Sequence, residues 1–540
     1  MKYLYIIITF SVLSMQNTKA QTADYFLTIN TTSATNLTID TGIEFNGYRY
    51  FSATKNFTES TIWKTNGTEI GTSDFINSND ITSASPIFVF NNELYYHAFQ
   101  LGETLVYKTN GAIKTPFLQE NAESPVVGFD TRSVAILDTN FVFRHGTITN
   151  GYELYISDGT PNSPILLKDI RPGASSSQPN YFTKVGDDKV VFTANDGING
   201  IELWVTDGTS AGTLLVKDIN TSGDSFINGL TSFNGKAYFS LENDIWETDG
   251  TEAGTVIFLN LRMDSNSEYP FYEYNNELYF TAYDTSFNFV DLWKTDGTVA
   301  GSTILTSGLN YADVFQKTNN YLFFAANTDA NGYELWRTNG TPGGTLLTRD
   351  INPGPEDSLV GEPSLGNGGN LLFFEATFYD DDPNIEAALS GELWSSNGTE
   401  TGTLLNTTIN PSSGRGQPDQ FFNTNGKLIF QANGDGSGAS NSNQGIDLWI
   451  TNANLLSIEE NESSLTNFLL YPNPSSDSIS IKDLNNTINE IAIFSLEGRK
   501  VKTITSNFQA ISVQDLSAGT YLVSIKLNDG KHSTLKFLKQ

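Results

Sequence analysis

Glu202-Leu203-Trp204-Val205-Thr206-Asp207-Gly208-Thr209, closed by Gly212-Thr213, recurs further along the chain as Glu334-Leu335-Trp336-Arg337-Thr338-Asn339-Gly340-Thr341 with Gly344-Thr345. The other five tryptophans, Trp63, Trp246, Trp293, Trp394 and Trp449, stand in the same frame, and two weaker copies put tyrosine there, at Tyr107 and Tyr155. The nine positions are 44, 48, 49, 42, 47, 43, 58 and 55 residues apart. A period in the forties is the mark of a repeat array. Tryptophan is the bulkiest side chain, and its confinement to one slot makes that slot architectural.

The copy around Trp204 divides into four short runs rich in β-branched and aromatic residues: 181–185, 189–194, 201–207 and 213–219. Gly186-Asp187-Asp188, residues 195–200 and the Asp207-Gly208 pair separate them with turn-forming residues. Each unit therefore reads as a four-stranded antiparallel meander. Helical periodicity is absent. Within the third strand, alternation puts Glu202, Trp204 and Thr206 on one face and Leu203 with Val205 on the other, so both faces carry apolar bulk. A sheet sandwiched between two others needs this, and the expected fold is an all-β propeller of eight or nine four-stranded blades. The last copy has no obvious fourth strand after Asn452, whereas residues 25–29 form a strand ahead of the first unit. Pairing 25–29 with 446–451 would complete the last blade and cover a bare edge.

Composition sets the outer limits. Lys2, an apolar run from Tyr3 to Leu13 too short to span a bilayer, and Thr18-Lys19-Ala20 read as a signal peptide over residues 1–20. The mature chain has no transmembrane stretch and is expected to be exported. Cysteine is absent, which removes thiolate chemistry, Cys-held zinc and disulfide staples. The net charge is -31; residues 467–540 carry eight basic against six acidic side chains, a net of +2, leaving -33 on the rest. An acidic body disfavours nucleic acid, whose phosphates need a basic face, and leaves cations and neutral sugars as plausible ligands.

The Glu-Leu-Trp-x-x-Asp-Gly-Thr run followed by Gly-Thr resembles the repeat family named after that consensus. The resemblance covers residues 61–452 and implies a propeller without assigning an activity. Beyond a polar linker at 453–466, residues 467–540 alternate differently, with about seven short strands that suit a small immunoglobulin-like β-sandwich. Their ordered motifs are Tyr471-Pro472-Asn473-Pro474, Leu496 with Gly498 and Arg499-Lys500, Leu516-x-x-Gly519-x-Tyr521, and a basic-aromatic tail containing Lys536 and Lys539. They closely resemble the type A sorting domain of the Bacteroidetes type IX secretion system. That resemblance implies the secretion machinery as a partner, and a location outside the outer membrane, either anchored or released.

Chemistry is harder to find. An acid lies two residues before the slot aromatic at Glu153, Glu202, Asp244, Asp291, Glu334, Glu392 and Asp447. Such a series either holds cations or accepts hydrogen bonds from the neighbouring blade, and repetition favours packing. The Asx-Gly pairs are explained by tight turns. No cofactor is implied. Calcium is a candidate at acidic Gly-rich loops such as Asn195-Asp196-Gly197 and Asn433-Gly434-Asp435-Gly436, although neither has the ligand series of an EF-hand. With three histidines and no Gly-x-Ser-x-Gly, P-loop or His-Glu-x-x-His, triad and zinc hydrolysis are disfavoured. Loop length varies at the end opposite the Asp-Gly-Thr turns, where Asp380, Asp381 and Asp382, and Asp435, lie in the longest excursions. Variable loops on a rigid ring are where specificity resides. The leading expectation is a non-catalytic binder of a glycan or a surface protein. The alternative is a carbohydrate-active hydrolase or lyase using paired carboxylates.

Overall fold

The computed structural model describes residues 24–28, 42–56, 59–76, 81–100, 103–119, 132–162, 164–263, 270–283, 287–359, 365–378, 389–407, 416, 418–432, 447–452, 468–471, 475–483, 488–495, 500–506, 508, 510–527 and 532–540. The chain divides into two compact units, Met1–Asn454 and Leu455–Gln540.

The first unit is built of four-stranded antiparallel sheets, nine among the described residues. Eight are meanders in chain order, spanning 43–74, 81–119, 134–168, 180–217, 228–259, 272–309, 311–347 and 365–407; we number them sheets 1 to 8. In sheet 4 the strands are Asn180–Val185, Lys189–Asn195, Ile201–Thr206 and Leu214–Lys217, within two residues of the expected bounds. Sheet 9 takes three strands from 419–452, and its fourth is Asp24–Thr28. That N-terminal strand runs antiparallel to Asp447–Asn452, with Tyr25 opposite Trp449 and Thr28 opposite Asp447. The edge that the sequence leaves bare is thus covered by the other end of the unit.

The slot aromatics explain how one sheet meets the next. In every sheet the slot residue on the third strand stands directly across from a Phe or Tyr on the second: Phe192 with Trp204, Phe324 with Trp336, Tyr96 with Tyr107, Phe143 with Tyr155 and likewise elsewhere. Cross-strand aromatic pairs make the face rigid and apolar. That face packs on the preceding sheet. Trp204 joins Leu154 and Val142 of sheet 3, whereas Leu203 and Val205, on the opposite face, join Ala237 and Phe239 of sheet 5. Trp246, Trp293, Trp336 and Trp394 pack backwards in the same way.

Trp63 belongs to the first sheet, yet it too packs on a preceding one. It joins a core with Phe51, Phe422, Ile429 and Leu448, the last three from sheet 9. Phe51 and Phe422 have ring centroids 5.2 Å apart, and the Asn425 amide donates to the carbonyls of Gly47 and Asn66 at 3.2 and 3.0 Å. Sheets 8 and 9 meet where Asn423 donates to the Asn367 carbonyl at 3.3 Å. The succession of sheets therefore closes on itself, consistent with the propeller expectation.

The second unit has a three-stranded sheet of Phe468–Tyr471, Ser478–Asp483 and Ile511–Ser512, and a four-stranded sheet in the order Lys500–Ile504, Ile488–Ser495, Gly519–Leu527, His532–Lys539. Ile479, Ile481, Ile491, Ile493, Val523 and Phe537 from the two sheets share one core.

Candidate functional site

The Asp-Gly-Thr motif resolves into a self-contained turn. Asp207 Oδ1 accepts from the Thr209 amide and hydroxyl at 2.8 and 2.7 Å, and Thr209 Oγ1 accepts from Gly212 N at 2.9 Å. The Thr213 hydroxyl donates to the Thr209 carbonyl and touches Thr206 Oγ1, which in turn accepts from Gly208 N. Gly208 has φ +85°, and a Cβ on Gly212 would lie 2.1 Å from Asp207 Oδ1. The same network recurs around Asn66, Asp249, Asp296, Asn339 and Asn397. Hydrogen bonds from the threonine hold the Asp207, Asp249 and Asp296 carboxyls below the usual range. These carboxylates are occupied by their own turns. The loop at Asn195-Asp196-Gly197 behaves alike: Asp196 accepts from Ile198 N, Asn199 N and the Asn199 amide, each at 2.8 Å.

Of the acids before the slot aromatic, Glu153, Glu202, Asp291, Glu334 and Glu392 are buried and Asp244 partly so, and for three of the glutamates the partner is not the one the sequence suggests. Glu153 accepts from Ile170 N at 2.8 Å, Ser177 N at 2.8 Å and Ser177 Oγ at 2.6 Å. Glu202 accepts from Ile219 N at 2.8 Å and from Ser225 Oγ, and Glu334 from Ile351 N at 3.4 Å and from Ser358 Oγ. All six donor residues sit on the chain that leaves the fourth strand and leads to the next sheet, not on a strand of that sheet. The carboxylate reaches them because the fourth strand runs beside the third, and its exit turns back over the third strand's buried end. Burial pushes Glu153 up to about 7 and Glu334 up to about 8, and raises Glu202 as well.

At this same end of the sheets, opposite the Asp-Gly-Thr turns, lies a cleft of about 290 Å³ lined from sheets 3 and 4 and from the connections that follow each of them. Arg144, Gln178, Asn180, Tyr181, Asp224 and Phe226 supply its polar and aromatic lining. Three of these, Gln178, Tyr181 and Phe226, have φ between +47° and +57°, a region that side-chain-bearing residues rarely occupy. The Phe226 ring is 79% exposed. Asn180 Oδ1 is buried without a protein donor, while Asp224 Oδ1 accepts from Ile201 N at 2.7 Å. Nothing in the sequence marks this cleft, because it depends on backbone turns at residues other than glycine. Histidine contributes no acid–base group here: burial lowers His145 to about 4, and its ring lies edge-on to Tyr155.

Of the loop residues singled out from the sequence, Asp380, Asp381, Asp382 and Asp435 lie outside the described residues, as do Pro472, Asn473, Pro474 and Gly498. Tyr471 ends the first strand of the second unit and Gly519 begins the strand that carries Tyr521. The Tyr521 hydroxyl donates to the Ser517 carbonyl at 2.9 Å, pinning the Leu516-to-Tyr521 strand entry. Lys536 and Lys539 lie on the last strand, which pairs with Gly519–Leu527. Lys539 is buried along its stem and donates to the Gln540 carbonyl.

Residues 469–540 match the family described as the secretion system C-terminal sorting domain. The C-terminal unit is a secretion sorting domain. A sorting domain of this kind marks the chain as cargo of the type IX secretion system, bound for the cell surface or the extracellular space. Among the described residues no helix is long and apolar enough to cross a membrane. No curated protein sequence matches the chain. Among solved structures, puromycin hydrolase is similar over 65% of this chain at 10% identity and a TM-score of 0.35, and this chain spans 60% of its length. The uncharacterized protein lmo1340 from Listeria monocytogenes EGD-e is similar over 55% of this chain and 90% of its own, at 10% identity and a TM-score of 0.32. A nidogen/laminin complex chain is similar over 48% and 93%, at 13% identity and a TM-score of 0.27.

Proposed function

We propose that this chain is a nine-bladed propeller of the Glu-Leu-Trp-x-x-Asp-Gly-Thr kind, exported behind a signal peptide cleaved after Ala20. An immunoglobulin-like sorting domain then carries it through the type IX pore. The propeller acts outside a Bacteroidetes cell as a non-catalytic glycan binder. The observation that carries the binding reading is the cleft lined from sheets 3 and 4 and the connections that follow them. Two aromatic rings, Tyr181 and Phe226, lie beside Arg144, Gln178 and Asn180, the combination of apolar faces and fork-shaped donors that a sugar ring needs. Backbone strain gathered at three of its lining residues supports a functional role, since such strain persists where the surrounding structure holds it for a purpose. Asp224 is the one carboxylate in the lining, and hydrolysis by paired carboxylates needs two. That favours binding over the hydrolase or lyase alternative at this place.

The test is a glycan array on the purified chain, with mass spectrometry of every glycan that binds. Binding without cleavage, weakened about tenfold or more by Phe226→Ala or Arg144→Ala, is the expected outcome. Cleaved glycan would transfer the assignment to the enzyme class, and binding indifferent to both substitutions would place the ligand elsewhere.

A further inference from the structure

In sheets 3, 4 and 7 a second acid follows the slot glutamate by sixteen residues: Asp169 after Glu153, Asp218 after Glu202 and Asp350 after Glu334. Each aspartate adds like-charge repulsion to the burial that already disfavours its glutamate's ionised form. In sheet 3 both Glu153 oxygens are engaged, Oε1 by Ser177 N and Oε2 by Ile170 N and Ser177 Oγ. Sheets 4 and 7 differ. There the isoleucine amide and the serine hydroxyl both meet Oε2, and Oε1 of Glu202 and of Glu334 is buried with no protein donor. Asp169 Oδ1, Asp218 Oδ1 and Asp350 Oδ1 are all buried without a donor, so the glutamate oxygen is what sets sheets 4 and 7 apart from sheet 3. Both glutamates are 0% exposed.

The basic side chains adjacent in sequence do not neutralise these pairs. Lys217 precedes Asp218, but its Nζ donates to the Thr255 carbonyl of sheet 5 at 2.9 Å and stands 5.7 Å from the Trp246 ring centre. Arg349 precedes Asp350, and its guanidinium donates to the Thr403 carbonyl of sheet 8 at 2.8 Å and lies over Trp394. Among the described residues no ion pair engages Glu202, Asp218, Glu334 or Asp350. Once ionised, these unpaired oxygens out of water would cost free energy that a bound cation would offset.

We propose that Glu202 with Asp218, and Glu334 with Asp350, each hold one calcium ion through the unpaired oxygens, and that Glu153 with Asp169 does not. The donors are all hard oxygens, no thiolate exists in the chain, and two carboxylates balance a doubly charged ion. Main-chain carbonyls and water complete the shell. No three acidic or histidine side chains cluster among the described residues, so affinity belongs at the weak extracellular end, a dissociation constant on the order of 10⁻⁴–10⁻³ M. Each ion would tie the exit of the fourth strand to the third. In sheet 4 that exit continues into Asp224 and Phe226, which links the ion to the shape of the cleft.

The measurement is titration of the full chain at pH 8 with Ca²⁺ by calorimetry, and with Tb³⁺ followed by tryptophan-sensitised luminescence. Trp204 and Trp336 lie two residues from the proposed ligands on the same strand face. Two ions per chain are expected. D218N should leave one ion, D218N/D350N should weaken binding at least tenfold, and D169N should change nothing. Asn keeps the shape of Asp and removes the repulsion. In chelator, therefore, D218N should melt no lower than the natural chain, which separates loss of the ion from loss of the fold. The single variant keeps the test readable if the double one fails to fold. No uptake by the natural chain, or uptake unaffected by D218N/D350N, would overturn the proposal. Neither result depends on whether a glycan binds.

Discussion

Gly344 and Gly343 are neighbours in one turn and their environments differ completely. A Cβ on Gly344 would lie 1.9 Å from Asn339 Oδ1, whereas a Cβ on Gly343 meets nothing within 4 Å. Gly344→Ala is therefore expected to destabilise the first unit by about 1–3 kcal/mol, and Gly343→Ala by less than about 0.5 kcal/mol. Denaturant or thermal unfolding of the two variants checks this, and equal effects would mean that the Asx carboxamide does not fill the space beside Gly344. The motif was legible in the sequence as a turn. Its second glycine was not legible as a steric requirement, because the group it makes room for is folded back from five residues earlier.

At the scale of the element, the slot glutamates fasten the crossover between consecutive sheets. Their folded pKa values lie above the usual carboxylate range, so the native state retains protons that the unfolded chain has released. The stability they contribute is full below about pH 4.5 and is lost as pH rises through about 7 for Glu153 and about 8 for Glu334. In chelator, the natural chain should lose stability between pH 5 and 8 relative to E153Q/E334Q, whose amides do not titrate; parallel pH profiles of the two would refute the assignment. Strand positions and the burial of these acids follow from period-two alternation. Their partners do not, since Ser177, Ser225 and Ser358 come 23 or 24 residues later in a connection without periodicity. The cleft was hidden for a related reason: positive φ at Tyr181 and Phe226 has no signature in residue type.

Across the whole first unit, the first and last sheets meet and close the succession. The repeat gave the number of units only as eight or nine, because the copies at Tyr107 with Asn110-Gly111-Ala112 and at Asn452-Ala453 depart from the consensus. The N-terminal strand pairs with the last copy, and the packing of Trp63 on sheet 9 is the side-chain counterpart of that pairing. The antiparallel meander within each sheet places the cleft and both glutamate–aspartate pairs at one end of the array, opposite the repeated turns. A chain with no cysteine allows this to be tested without background. Thr28 and Asp447 are directly paired across antiparallel strands, where Cα separations of roughly 4.5–5.5 Å fall within the reach of a disulfide. In the T28C/D447C variant under mild oxidation, we expect both thiols to disappear in the native protein, and peptide mapping to join the segment around residue 28 to that around residue 447. Two thiols that remain free and reactive in the folded chain would contradict the closed arrangement.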